Sequence, residues 1–248
     1  MGPTVLPTPP RVSAAVSRGW QTGSEHGTPG RPGPFERLTM SHEITWKSVH
    51  DERESLLEDL AGLSDAQWRA PSLCEDWSVQ QVVAHLASSA RTSKASAAKQ
   101  MLTHKGNVQA VSDAGVARFS GGTPAETLEA FRESMHERVS PFSAEAALGE
   151  VVVHAEDIRR ALDIEHTYPA ETLRQLADHY KDAGLGMGAG DRIKGLHLMA
   201  TDQKWETGKG DVVSGPIIAL IMTMLGRTAY LDDLSGDGVE TYRARLTR

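Results

Sequence analysis

The chain has 248 residues, 39% of them hydrophobic and 24% charged, with a formal net charge of −7. That length fits one large domain or two small ones, with room for a sizeable core, and the composition is that of a globular protein. The acidic balance argues against an extended nucleic-acid or anionic-membrane surface as the main function. A single cysteine, Cys74, excludes an intramolecular disulfide and a cysteine-based zinc knuckle. The longest apolar run, Pro216 to Leu225, falls well short of the ~20 residues that a bilayer span requires.

Residues 1–39 differ from the rest. They hold seven of the twelve prolines and carry a net +2, against −9 for the remainder. No apolar periodicity runs through them, so this segment is expected to be a disordered tail or a start-site extension. It has no continuous apolar stretch of the kind a secretory signal needs. Met40, directly ahead of the first periodic segment, is a second candidate start.

From Met40 onward the pattern is helical. Trp46, Val49, Arg53, Leu56, Leu57, Leu60 and Leu63 recur at three- and four-residue steps and predict a first helix ending near Gly62. Ser64-Asp65-Ala66-Gln67 reads as a short capped turn carrying Trp68. Ser78-Val79-Gln80-Gln81 matches a capping box, with Trp77 and Val82 at staple spacing; the helix it opens is expected to run to about Leu102. Thr123, Pro124 and Glu126 open a third helix, with Leu128, Phe131, Met135 and Val139 on one stripe and Pro141 as its stop. A fourth helix is predicted over Ser143–Ile164 and a shorter fifth after Pro169. Beyond Asp191, alternation in Ile193–Met199 predicts a strand, Val212-Val213 a second, and Pro216–Leu225 a buried helix closed by Gly226. The expected fold is mainly α: a four-helix bundle over residues 40–185 with a small C-terminal α/β unit over 186–248.

One constellation carries chemistry. Glu150 and His154 are four residues apart on the fourth helix, hence on one face, separated by Val151-Val152-Val153. His85 lies in the second helix among Val82, Val83 and Leu86. If the two helices face each other, His85, Glu150 and His154 converge inside the bundle, where a divalent metal is a natural partner for buried ionisable groups. The same pattern also fits a solvated helix pair and a core histidine. Asp157, one turn beyond His154, is placed either to orient that histidine or to pair with Arg160 or Arg53. His50, on the first helix, either lines the pocket or is an exposed or core histidine, and Cys74 has no clear base in its loop.

The segment from Trp68 through Pro71-Ser72-Leu73-Cys74, Trp77-Ser78-Val79 and Val83-Ala84-His85-Leu86 resembles the second-helix signature of the DinB-like bundle superfamily. It is most similar to the mycothiol-dependent maleylpyruvate isomerase branch. Glu150-Val-Val-Val-His154-Ala-Glu-Asp157 resembles the fourth-helix signature of that branch. Ser214-Gly215, the apolar helix and Gly226-Arg227 resemble its C-terminal segment, and the likeness runs roughly from Trp46 to Gly238. It implies zinc held by His85, Glu150 and His154, with Arg227 catalytic and mycothiol, a sugar-linked thiol, as cosubstrate. Many DinB-like thiol transferases carry histidine where this chain has Glu150, which points to the isomerase branch. The implied reaction is cis–trans isomerisation of a small dioxo acid: a thiolate adds to the double bond, the resulting single bond rotates, and elimination returns the trans product.

Two histidines and a carboxylate leave Zn²⁺ an open position, although the set also suits iron(II). Arg227 fits a substrate carboxylate, and equally a helix C-terminal charge. The expected partners are a small-molecule substrate and a low-molecular-weight thiol, with no nucleic acid or membrane. The expected setting is the cytoplasm, as monomer or homodimer. Two other functions are compatible with the sequence: a mycothiol S-transferase acting on electrophiles, and a non-catalytic metal-binding or regulatory module. Gly184-Leu-Gly186-Met-Gly188-Ala189 imitates a dinucleotide fingerprint but follows a helix and precedes a strand, the reverse of the required order, so it reads as a loop. Asp233–Gly238 imitates the start of a calcium loop but has Ala244 at the closing position.

Overall fold

A computed structural model describes residues 44–74, 76–138, 141, 143–182 and 189–247. The tail expected over 1–39, Val139 of the third-helix stripe and the glycine-rich loop at 184–188 lie outside the described residues. Ser41–Arg248 form one compact unit.

Four helices make the bundle: α1 (Trp46–Ala61), α3 (Val79–Ala90), α6 (Pro124–Ser134) and α7 (Ala144–Arg159). They close a ring in which α1 packs on α7, α7 on α3, α3 on α6 and α6 on α1. The capping signals work as the sequence suggests. Ser64 opens α2 (Asp65–Trp68) and Ser78 opens α3, each in a reciprocal capping box. Thr123 caps α6, with Pro124 in its first turn, and Ser143 caps α7. The core between them is apolar, with Val49, Leu56, Val82, Val83, Phe131 and Val152 fully buried.

The second helix is shorter than its apolar pattern suggests. It stops at Ala90, and α4 (Lys94–Thr103) starts afresh. Ser93 accepts a hydrogen bond from Ser96 N and so caps a new helix, while Thr92 Oγ1 bonds back to the Ser88 carbonyl. Such local side-chain bonds compete with helix continuation. A further helix, α5 (Val108–Phe119), was not foreseen. Its N-cap, Asn107, follows Lys105 and Gly106, both at positive φ, and it buries only Gly115 and Val116. Gly115 permits close packing on α3: a Cβ there would stand 2.4 Å from Ser88 Oγ. The third helix ends at Ser134, short of Pro141, where Arg53 Nη1 donates to the carbonyls of Ser134, Met135 and Glu137 at 3.1–3.4 Å. The fourth ends at Arg159 and tightens into a 3-10 turn, Arg160–Leu162, terminated by Asp163 in the left-handed region.

The C-terminal part contains α8 (Ala170–Lys181), the short α9 (Ala189–Ile193), α10 (Ile217–Met224) and α11 (Val239–Leu246), with a three-stranded sheet. Ile193 belongs to α9, so β1 begins later than its alternation suggests, at Leu196, and ends at Ala200. The sheet order is β2-β1-β3, where β2 is Glu206–Gly208 and β3 is Asp211–Gly215. β1 runs antiparallel to β2 and parallel to β3, with Leu198 opposite both Thr207 and Val213. Strand β2 carries no apolar alternation, which is why it is invisible in sequence. Leu196, Leu198 and Val213 form the covered face. α10 is apolar nearly all round and correspondingly buried, packed against α8, β1 and α9. Among the described residues no helix is long and apolar enough to cross a membrane.

Candidate metal and substrate site

Helices α3 and α7 face each other, and this brings the three predicted ligands together. His85 Nε2 lies 3.2 Å from Glu150 Oε1, and the His85 and His154 rings are 4.9 Å apart between centroids, near perpendicular. All three line one cavity of about 730 Å³, a size typical of small-molecule sites. Ser89 Oγ donates to Glu150 Oε2 at 2.6 Å, fixing the carboxylate from the other side. Trp77, buried at the start of α3, tilts against the His85 ring at 4.9 Å.

Asp157 orients His154. Nδ1–H donates to Asp157 Oδ2 at 3.0 Å, leaving the lone pair on Nε2. The expected alternatives for Asp157 do not occur, because Arg160 pairs with Asp233 and Arg53 serves the end of α6. Its second partner is Arg227, which binds it in a fork: Nε to Oδ1 at 3.0 Å and Nη2 to Oδ2 at 2.7 Å. Arg227 Nη1 also donates to the Leu225 carbonyl at 3.0 Å. Arg227 therefore satisfies a carbonyl just past α10, and its side chain also lines the cavity. Three of its five N–H groups are used by these bonds.

The electrostatics follow from burial and these partners. Burial pushes the Glu150 carboxyl up, but hydrogen bonds and charge from His85, with Ser89, outweigh it and hold it below the usual range. Burial lowers His154 more than Asp157 raises it, which favours the neutral imidazole that a metal requires. Asp157 would be raised by burial, yet the His154 and Arg227 hydrogen bonds keep it low and ionised.

One pair of the predicted donors has the spacing of a divalent-ion site. Two N/O donors on one zinc, each about 2.0–2.1 Å from it, stand about 3.3 Å apart. The observed His85–Glu150 separation of 3.2 Å matches that spacing across two helices. Among the described residues, the three donors whose ligand atoms all lie within 4.8 Å of one another are Cys74, His154 and Asp157, not the predicted trio His85, Glu150 and His154. Asp157, however, is already engaged by the Arg227 fork and by His154, which makes it an orienting acceptor. Cys74 reaches this position because its loop is tied to α7, with Leu73 N donating to the Asp157 carbonyl at 3.0 Å. No sequence signal placed Cys74, Ser89, Tyr180 or Arg192 at the site; each arrives through packing between distant segments. His50 stays on α1, edge-on to His136, and does not line the cavity.

Gly149 precedes Glu150 and lets Tyr180 close over α7. A Cβ at Gly149 would stand 2.4 Å from Tyr180 Oη and 3.0 Å from Cζ. Gly149→Ala is expected to cost about 1–3 kcal/mol by overpacking, despite alanine's better helix propensity. Urea denaturation checks this, and an unchanged or raised midpoint would contradict the packing account.

Residues 49–140 match the family of mycothiol maleylpyruvate isomerase N-terminal domains. The resemblance drawn from the helical motifs thus has independent support, over a span that includes His85 and stops before Glu150. Two solved structures share the fold. One is the mycothiol-dependent maleylpyruvate isomerase, at 16% identity and a TM-score of 0.51. The other is a histidine-to-alanine mutant of that enzyme, at 18% identity and the same TM-score. Each alignment covers 80% of this chain and 95% of the other. No curated protein sequence matches the chain.

Proposed function

We propose that this protein is a zinc- and mycothiol-dependent isomerase of a small dioxo acid, acting in the cytoplasm. The observation that carries the proposal is that His85, Glu150 and His154, from two helices, line one cavity, with His85 Nε2 3.2 Å from Glu150 Oε1. The family match and the shared fold support the same reading.

In this reading His85, Glu150 and His154 hold the ion and Asp157 fixes the His154 ring. A bound divalent cation supplies the positive charge that brings a thiol's pKa towards neutrality. The bundle wall contributes Ser88, Thr92, Gln100 and Ser112, whose hydroxyl and amide groups suit the sugar portion of the thiol. Val153, Met101 and Val111 add apolar lining. Arg227, from the C-terminal unit, turns its free N–H groups towards a carboxylate or enolate oxygen of the substrate. Under this division, residues 40–185 supply the ligands and 186–248 the substrate-facing charge.

The test is elemental analysis of protein purified without a metal-affinity tag. Near-stoichiometric zinc is expected, lost in both His85→Ala and His154→Ala. The zinc-loaded protein should then convert maleylpyruvate only when mycothiol is present. A folded protein that neither carries zinc nor takes it up would overturn the proposal. Accumulation of a thiol conjugate in place of an isomer would reassign it as a transferase.

A further inference from the structure

Tyr180 lines the cavity shared by His85, Glu150, His154 and Arg227, yet no step described so far uses it. The chain has four tyrosines, Tyr168, Tyr180, Tyr230 and Tyr242, and all are buried. Tyr168 and Tyr230 direct their hydroxyls at Glu156, donating to Oε1 at 2.8 Å and to Oε2 at 2.5 Å. Tyr242 lies on α11 and does not line the cavity. Tyr180 does. It is only 4% exposed, and among the described residues its hydroxyl meets no hydrogen-bond partner.

Packing holds the ring in place. Tyr180 lies in the last turn of α8, and its Oη and Cζ fit against α7 in the space left by the missing side chain of Gly149. The hydroxyl therefore rests beside Glu150, the next residue of α7. Burial and the Glu150 charge push the phenol pKa up, and Arg227 pulls it down by less. At neutral pH the group keeps its proton and acts as a donor rather than a base. A buried donor left unmet costs about 1–3 kcal/mol, so a molecule filling the cavity gains by bringing an acceptor to it.

The proposed reaction supplies such an acceptor. When a thiolate adds to a double bond conjugated with a carbonyl, a C–S bond forms and the displaced electron pair moves onto the carbonyl oxygen as an enolate. The former double bond is now single and rotates. Collapse of the enolate expels the thiolate and restores the double bond in the trans form. No proton changes hands, so the step calls for a donor that holds its proton. A hydrogen bond to an anionic oxygen is roughly twice as strong as one to a neutral carbonyl. A donor fixed in advance therefore stabilises the transition state more than the bound substrate.

We propose that Tyr180 is a catalytic residue whose hydroxyl donates to the enolate oxygen that forms on the acid substrate. This rests on the function proposed above, and a binding measurement tests it apart from that function.

The variant is Tyr180→Phe, which keeps the ring over Gly149 and removes only the hydroxyl. Acetylpyruvate is a dioxo acid that ionises to an enolate and cannot undergo the isomerisation. Pyruvate shares its carboxylate and keto group but stays a ketone. Each is titrated calorimetrically, in mildly alkaline buffer, into zinc-quantified wild type and variant. Tyr180→Phe is expected to weaken acetylpyruvate by about tenfold or more, the range for a lost hydrogen bond to a charged group, and pyruvate by at most about twofold. Equal weakening of both acids would overturn the proposal, as would unchanged acetylpyruvate binding or none to wild type at millimolar concentration. In turnover, kcat for the mycothiol-dependent isomerisation should fall by about 10²–10³-fold, the usual loss for one oxyanion donor, with little change in KM for the acid. A fall in mycothiol affinity with kcat retained would place the hydroxyl on the thiol and also overturn it. A wild type that carries zinc but does not isomerise would sink the proposed function, and the acetylpyruvate comparison would still decide the role of Tyr180.

Discussion

Replacing Arg159 with methionine is expected to lower stability by about 3–5 kcal/mol, the usual cost of stripping one partner from a buried ion pair. Arg159 closes α7 and is fully buried. It binds Asp59 through Nε at 2.8 Å, Glu52 and Tyr168 through Nη1 at 2.7 and 2.8 Å, and Ser55 through Nη2 at 3.1 Å. Three of these partners lie on α1, so the arginine joins the two helices. Burial already raises the Glu52 carboxyl even with Arg159 beside it, and removing the guanidinium leaves that carboxylate without its counter-charge. Methionine keeps most of the apolar stem, so the loss measures the charge network more than a cavity. Urea denaturation decides the matter: a loss below about 1 kcal/mol would show that water reaches the site and replaces the arginine.

Asp157→Asn is expected to weaken zinc binding by about ten- to hundredfold, the usual effect of removing an acceptor that orients a ligating histidine. The site supplies the reason. A single side chain holds the His154 tautomer and the Arg227 fork at once. Asparagine can still accept one hydrogen bond, but it cannot neutralise the guanidinium. The measurement is competition with a chelator, and unchanged affinity would mean that Asp157 serves the fold alone. A second readout uses metal-free protein. Because Asp157 is held below its unfolded value, the stability it adds is present above that value, about 3.9. It is lost as pH falls from there through the folded value. Wild type should therefore lose stability more steeply than Asp157→Asn on acidification through that window.

The sequence by itself determined the helix starts and the four bundle helices. Ser64, Ser78 and Thr123 cap their helices because each satisfies donors two or three residues away, an interaction complete within one turn. The apolar stripes selected the four bundle helices for the same reason: helical periodicity is a local property. That Glu150 and His154 share a helix face was also legible, from their fixed spacing; that His85 lines the same cavity depended on how α3 and α7 pack. The tertiary structure decided the rest. Asp157 meets Arg227 across 70 residues of chain, and nothing near either residue favoured that pairing over Arg53 or Arg160. Helix α5 has only a thin apolar face and gains its place by packing Gly115 against Ser88. Cys74 reaches His154 because a backbone hydrogen bond ties its loop to α7. Arg192 enters the cavity because a glycine at positive φ leaves it room. Caps and stripes depend on neighbours within a turn; charge pairing and close backbone approach depend on which distant surfaces meet.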